Sequence, residues 1–141
     1  MAKKKGPKTA PLILIVGSMD PSTLRQSGYS VRRPTWKQIE DAIRQMDGHW
    51  RYQVIIMVDD ETYHLLGGGA DDRYVCEAEN PDGNFALCDP ARPEEELVDI
   101  FNGQPSLYAA RHVVDLATVL QATRYFATKR EMDPSLVWDQ Y

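Results

Sequence analysis

The stretch WRYQVIIMVDDETYHLLGGGADDRYVCEAENPDGNFALCD, residues 50–89, decides the fold. It divides into short β segments punctuated by turn residues. Tyr52 to Val58 reads as a strand, Asp59 to Thr62 as a turn and Tyr63 to Leu66 as a second strand, with Gly67, Gly68 and Gly69 as a hairpin loop behind it. From Arg73 to Glu79, the residues Tyr74, Cys76 and Ala78 alternate with Val75, Glu77 and Glu79. Asn80-Pro81-Asp82-Gly83 then makes a tight turn into Asn84 to Cys88. The pattern is an antiparallel meander.

Working outward, RPTWKQIEDAIRQMDG (33–48) is a helix with its own start and stop signals. Thr35 and Gln38 form a capping box, Trp36, Ile39, Ala42, Ile43 and Met46 recur at helical spacing, and Gly48 supplies the stop after about three turns. Upstream, Leu12 to Val16 suits a buried strand, while Asp20 to Arg33 has loop composition, with Tyr29 and Val31 lying along a sheet edge. Downstream, Pro90 to Pro93 and Glu94, Glu95 and Glu96 form a loop. Leu97 to Phe101 is a strand, Asn102-Gly103 its turn, and Ser106 to Val114 pairs back. Asp115 caps a second helix, Leu116 to about Lys129, with Leu116, Val119, Leu120, Thr123 and Phe126 on one face; Asp133-Pro134 ends it. The order gives an α+β fold, a mostly antiparallel sheet with two main helices packed on one face. Residues 1–10 are expected to be a disordered basic tail and 11–141 a single domain.

Composition narrows the function. The 141 residues are 43% apolar and 26% charged, the profile of a soluble domain. The longest apolar run, Leu12 to Val16, is far below the roughly 20 residues of a membrane span and carries no signal-peptide pattern, so the expected location is the cytoplasm. Lys3, Lys4, Lys5 and Lys8 place four positive charges in the first eight residues, leaving twelve basic against 21 acidic side chains elsewhere. Phosphate would be repelled by most of that surface, so nucleic acid is not expected as the main partner. Cys76 and Cys88 flank a turn and could face each other across paired strands; in the cytoplasm reduced thiols are expected.

No catalytic constellation emerges. His49, His64 and His112 show no metal-binding spacing, and neither metal nor cofactor is expected. The glycine trio lacks the Lys-Ser or Lys-Thr of a phosphate loop, and Ser18, Ser106 and Cys76 lack a nucleophile elbow. What remains is charge in loops: Asp59, Asp60 and Glu61; Asp71 and Asp72; Glu94, Glu95 and Glu96. Converging on one face, they would form an acidic patch for a basic protein; dispersed, they are only a solvated surface. Two rival classes stand beside this one. A ligand pocket lined by Trp50, Tyr52, Tyr74 and His64 would make the chain a small-molecule-binding domain, and the lysine tail would make it a nucleic-acid-associated module. A homodimer through Leu12 to Val16 requires that strand to lie outermost.

In order along the chain, PTWKQIEDAIRQMDG, LLGGG, RYVCEAE, NGQPSLYAARHVVDLATVLQATRYF and MDPSLVW resemble a family of bacterial polymorphic-toxin immunity proteins, the one often encoded near toxins of the deaminase superfamily. The resemblance spans about residues 30 to 138. It implies a small α+β protein that binds a cognate toxin domain in the cytoplasm and occludes its active site without catalysis. Trp36, Gly68, Gly103, Phe126 and Trp138 fall in these motifs and are assigned to core packing and turns, leaving the three acidic groups as toxin-contact candidates.

Overall fold

A computed structural model describes residues 10–141. The expectation for the basic tail therefore lies outside the described residues, Ala10 excepted. Among the described residues, nine strands and two α-helices follow in the order β1 (Ile13–Met19), β2 (Gln26–Arg32), α1 (Trp36–Arg44), β3 (Arg51–Asp59), β4 (Thr62–Gly68), β5 (Tyr74–Asn80), β6 (Gly83–Cys88), β7 (Leu97–Phe101), β8 (Pro105–Ala109), α2 (Leu116–Lys129) and β9 (Val137–Gln140). Seven strands make one sheet, ordered β2-β1-β3-β4-β5-β6-β9, and β7 and β8 form a separate hairpin. Every pairing is antiparallel, and the α+β reading holds.

Pleating sends alternate side chains to opposite faces. Leu14, Val16, Val54, Ile56, Leu66, Cys76 and Leu87 face the helices and join Ile39, Ile43, Val119, Ala122 and Phe126 in the main core, with Trp36 and Trp138 packed against it. The capping box forms as expected: the Thr35 hydroxyl accepts from the Gln38 amide and the Gln38 side chain accepts from the Thr35 amide. Asp115 caps α2 by accepting from the Thr118 amide.

Several expectations need correction. Asp20 to Arg33 is not all loop: Tyr29 and Val31 do lie along a sheet edge, but the edge strand β2 takes in all of residues 26–32; its side chains are almost all exposed, and an edge with a free rim needs no apolar pattern. Leu12 to Val16 lies in or beside β1, inside the sheet between β2 and β3, so the edges are β2 and β9 instead. Strand β8 stops at Ala109, and residues 110–112 turn in a short 3-10 helix before Val114 bridges to Tyr74. Val137–Gln140, read only as the close of the chain, pairs with β6. Cys76 and Cys88 do not oppose each other. The β5–β6 register pairs Glu77 with Ala86, which places the two cysteines one residue out of step and on opposite faces; both thiols are free and buried.

The glycine trio is also more than a loop. Gly67 and Gly68 end β4, and Gly69 begins the turn to β5. A Cβ on Gly67 would come within 2.9 Å of the Asn102 Cβ, where the β7–β8 hairpin seals the second small core of Val75, Val98, Ile100, Ala110 and Val113. Gly68 (φ +93°) and Gly69 (φ +119°) hold left-handed backbone, and a Cβ on Gly69 would sit 2.6 Å from the Met46 carbonyl. Gly103, in the β7–β8 turn, has φ +106°. Gly68→Ala and Gly69→Ala are each expected to lower stability by about 1–3 kcal/mol, read as a fall in urea midpoint at unchanged slope. An unmoved midpoint would show that the turn relaxes freely.

Candidate functional site

Among the described residues, the β4–β5 connection concentrates the positive-φ backbone. Asp71 (φ 55°, ψ 35°) and Asp72 (φ 56°) follow one another in the left-handed region, separated by Ala70 from two positive-φ glycines, Gly68 and Gly69. Aspartate tolerates this better than most side chains, yet such residues typically cost on the order of 1–3 kcal/mol each and persist where the surroundings hold them. Part of the hold is visible: the Asp72 carboxylate accepts from the Leu116 amide at 2.8 Å, adding a second acid beside Asp115 at the α2 N-terminus, where the helix dipole favours negative charge.

The strained turn is a ridge between two cavities of about 470 and 430 Å³, both bordered by Asp71 and Arg73. The larger gathers Asp71, Asp72, Asp89 and Asp115 against Arg73 and Arg92. Arg92 is spent partly inward, donating to the Val113 carbonyl at 3.2 Å. Asp72, Asp89 and Asp115 each accept a hydrogen bond from a backbone amide, of Leu116, Ala91 and Thr118 respectively. Hydrogen bonds from Thr118 hold the Asp115 carboxyl below its usual range. The groove mouth is thus acidic and shaped by backbone rather than by flexible side chains.

The three acidic groups expected from sequence do not all converge. Asp71 and Asp72 form the ridge. Glu94, Glu95 and Glu96 stand exposed ahead of β7, linked to Asp89 through Arg111, whose carbonyl accepts from the Asp89 amide, whose amide donates to the Pro93 carbonyl and whose Nε lies 3.8 Å from the Glu94 carboxylate. Asp59, Asp60 and Glu61 occupy the β3–β4 turn at the opposite end of β4, roughly 20 Å along the strand. Asp89 and Asp115 were missed as site residues. Asp115 was legible only as a helix cap, and Asp89 only as the last residue before the Pro90 to Pro93 loop.

The pocket imagined from Trp50, Tyr52, Tyr74 and His64 does not form. His64 is 1% exposed, stacked on Phe126 with ring centroids 4.1 Å apart and edge-on to Trp138. Tyr52 packs edge-on against Phe101, Trp50 against His49, and Tyr74 is buried in the main core.

Among the described residues, one cluster offers metal-ligand chemistry: atoms of Cys88, His112 and Asp139 lie within 4.8 Å of one another. Its electrostatics suit an ion pair better. Arg111 donates to both Asp139 oxygens, at 2.9 and 3.2 Å, and His112 Nε2 is 2.8 Å from one of them, so an incoming cation would have to displace a guanidinium. Arg111 and His112 hold the Asp139 carboxyl well below the usual carboxylate range. Burial, with Asp139 behind it, pushes the Cys88 thiol up to about 11, and burial raises Cys76 as well. Neither is a thiolate nucleophile at neutral pH.

Comparison with known proteins places these features. The family model described as immunity protein Imm1 matches residues 27–140, from within β2 through β9. Among solved structures, the chain is similar to the crystal structure of a hypothetical protein from Neisseria gonorrhoeae, with a TM-score of 0.61 and 11% identity over 95% of this chain and 98% of that one. At that identity the likeness speaks for the fold alone. No curated protein gives a significant match.

Proposed function

The chain belongs to the Imm1 immunity protein family, and from that premise we propose that it binds a cognate toxin domain of deaminase or nuclease type in the cytoplasm and occludes its cleft, without chemistry of its own. The observation that carries this reading is the acidic ridge. A toxin that processes nucleic acid needs a cationic cleft, and four aspartates fixed around a strained turn present the opposite potential to it. The two buried, protonated thiols support a role by contact rather than by covalent catalysis.

A footprint of standard size, about 800 Å² on this partner, centred on Asp71 and Asp72 takes in Asp89 and Asp115 and reaches Glu94, Glu95 and Glu96 at its edge. Asp59, Asp60 and Glu61 lie at its outer limit at most. Of the core motif residues, Phe126 is buried, and Trp36 and Trp138 pack half-buried against the main core.

Co-expression with the cognate toxin domain, followed by size-exclusion chromatography, is the direct check. The expected outcome is a 1:1 complex that persists at moderate salt. Separate elution of the two chains at micromolar concentration would remove the proposal.

A further inference from the structure

On the sheet face turned away from the helices, the registers align Ile15, Ile55, Leu65, Glu77, Ala86 and Asp139 in one row across six strands. Glu77 is where this row turns from apolar to acidic. It borders a cavity of about 320 Å³ whose floor is Val75 and Ala86 and whose walls include Tyr108 and Tyr141. The volume sits at the small end of ligand pockets, suited to one long side chain.

Glu77 is half-buried, and its carboxylate accepts a hydrogen bond from the Tyr141 hydroxyl at 3.2 Å. Among the described residues it has no cationic partner within 4 Å. The basic side chains nearby, Arg111 and His112, are both engaged by Asp139. Glu79 adds a second carboxylate two residues along the same face. A half-buried carboxylate beside an apolar floor is well placed to pair with an incoming cation. After burial, the charge of Glu77 also raises the hydroxyls of Tyr108 and Tyr141, the latter up to about 12.

We infer that the hollow between Glu77, Tyr108 and Tyr141 receives one cationic side chain, arginine or lysine, of a protein partner. The carboxylate pairs with the head group, the tyrosine rings supply cation–π contact, and the apolar floor carries the aliphatic stem. Arginine in a desolvated aromatic pocket is a common energetic anchor of interfaces. The pocket also continues the acidic groove: Ala86 is two residues, roughly 7 Å, along β6 from Cys88, which lines the larger cavity at the ridge. One footprint covers both. The inference rests on the reading that this chain docks a toxin, and it names a contact within that interface.

Two measurements test it. In the first, acetyl-arginine amide and its neutral isostere acetyl-citrulline amide are titrated at millimolar concentration while the amide signals of the isotope-labelled protein are followed by NMR. Saturable shifts at Glu77, Ala86 and Tyr108 are expected with the arginine compound alone, weakened about tenfold or more in Glu77→Gln and partly in Tyr141→Leu. Equal shifts from both compounds, or shifts unchanged in Glu77→Gln, overturn the pocket. In the second, Glu77→Gln is expected to weaken toxin binding by about tenfold or more. Unweakened binding by that variant overturns the pocket and leaves the neutralising role intact. If the wild-type chain itself fails to bind the toxin, the role falls, and the amide titration alone decides the pocket. A urea midpoint for each variant equal to wild type establishes that folding is not the cause.

Discussion

The variant Asp71→Asn, Asp72→Asn, Asp89→Asn, Asp115→Asn is expected to associate with the toxin about 10 to 100 times more slowly at low ionic strength, and to lose most of the salt dependence of that rate. Asparagine suits this test because it isolates charge. It tolerates the left-handed backbone of positions 71 and 72, and its carbonyl oxygen can still accept from the Leu116 and Thr118 amides, so the α2 cap survives. Stability should change by less than about 1 kcal/mol, which a urea titration verifies. The companion variant Asp59→Asn, Asp60→Asn, Glu61→Gln removes charge at the other end of β4 and should leave the rate within about twofold, since screening over roughly 10 Å mutes distant charges at 0.1 M salt. Stopped-flow association at several salt concentrations reads both. A four-acid variant as fast and as salt-sensitive as wild type would show that the ridge does not steer the encounter.

The second large effect is on stability in mild acid. His64 is sealed between Phe126 and Trp138, its Nδ1 3.9 Å from the Cys76 sulfur and its Nε2 without a partner among the described residues. Burial lowers its pKa to about 3, against about 6.5 in the unfolded chain. Between those values the unfolded state takes up a proton that the folded state refuses, so stability rises with pH across the window and is lost as pH falls. At pH 4.5 the loss from this one group is about 3 kcal/mol. His64→Leu keeps an apolar side chain of similar bulk in the site and removes both the proton and the orphaned nitrogen. Its urea midpoint should fall less than that of wild type between pH 7.5 and 4.5, the difference isolating His64 from groups that both proteins share. Parallel slopes would mean that His64 is reached by water and titrates normally.

How far the sequence could be read follows from where each signal resides. Thr35 with Gln38, Asn80-Pro81-Asp82-Gly83, and Asp115 before an apolar stripe are local chemical devices, and each stands where its residues put it. Strands β2 and β9 are edges, whose pairing partners set them and whose own side chains carry little pattern. His64 alternates correctly into the helix-facing layer, but whether a buried histidine is a ligand or core packing depends on Phe126, 62 residues away in the chain. The cysteine pair failed on a register difference of one residue, which turn sequence alone resolves poorly. The acidic site was legible in part. Asp71 and Asp72 were found from charge in a turn, while their neighbours Asp89 and Asp115 come from loops distant in sequence, and the separation from Asp59, Asp60 and Glu61 follows only from the direction of β4. Glu77 looked like one polar position of an alternating strand; its missing counter-charge is visible only with Tyr108 and Tyr141 in place.

The central claim is neutralisation by stoichiometric occlusion, and titrating this chain into a fixed amount of the purified toxin domain, with the toxin's activity on nucleic acid as readout, tests it most directly. The account predicts a linear fall in activity that ends at one equivalent and is reversed by salt more readily in the four-acid variant. Activity that persists beyond one equivalent, or disappears at a small fraction of one, would contradict it: the first because nothing is occluded, the second because the chain would be acting as a catalyst.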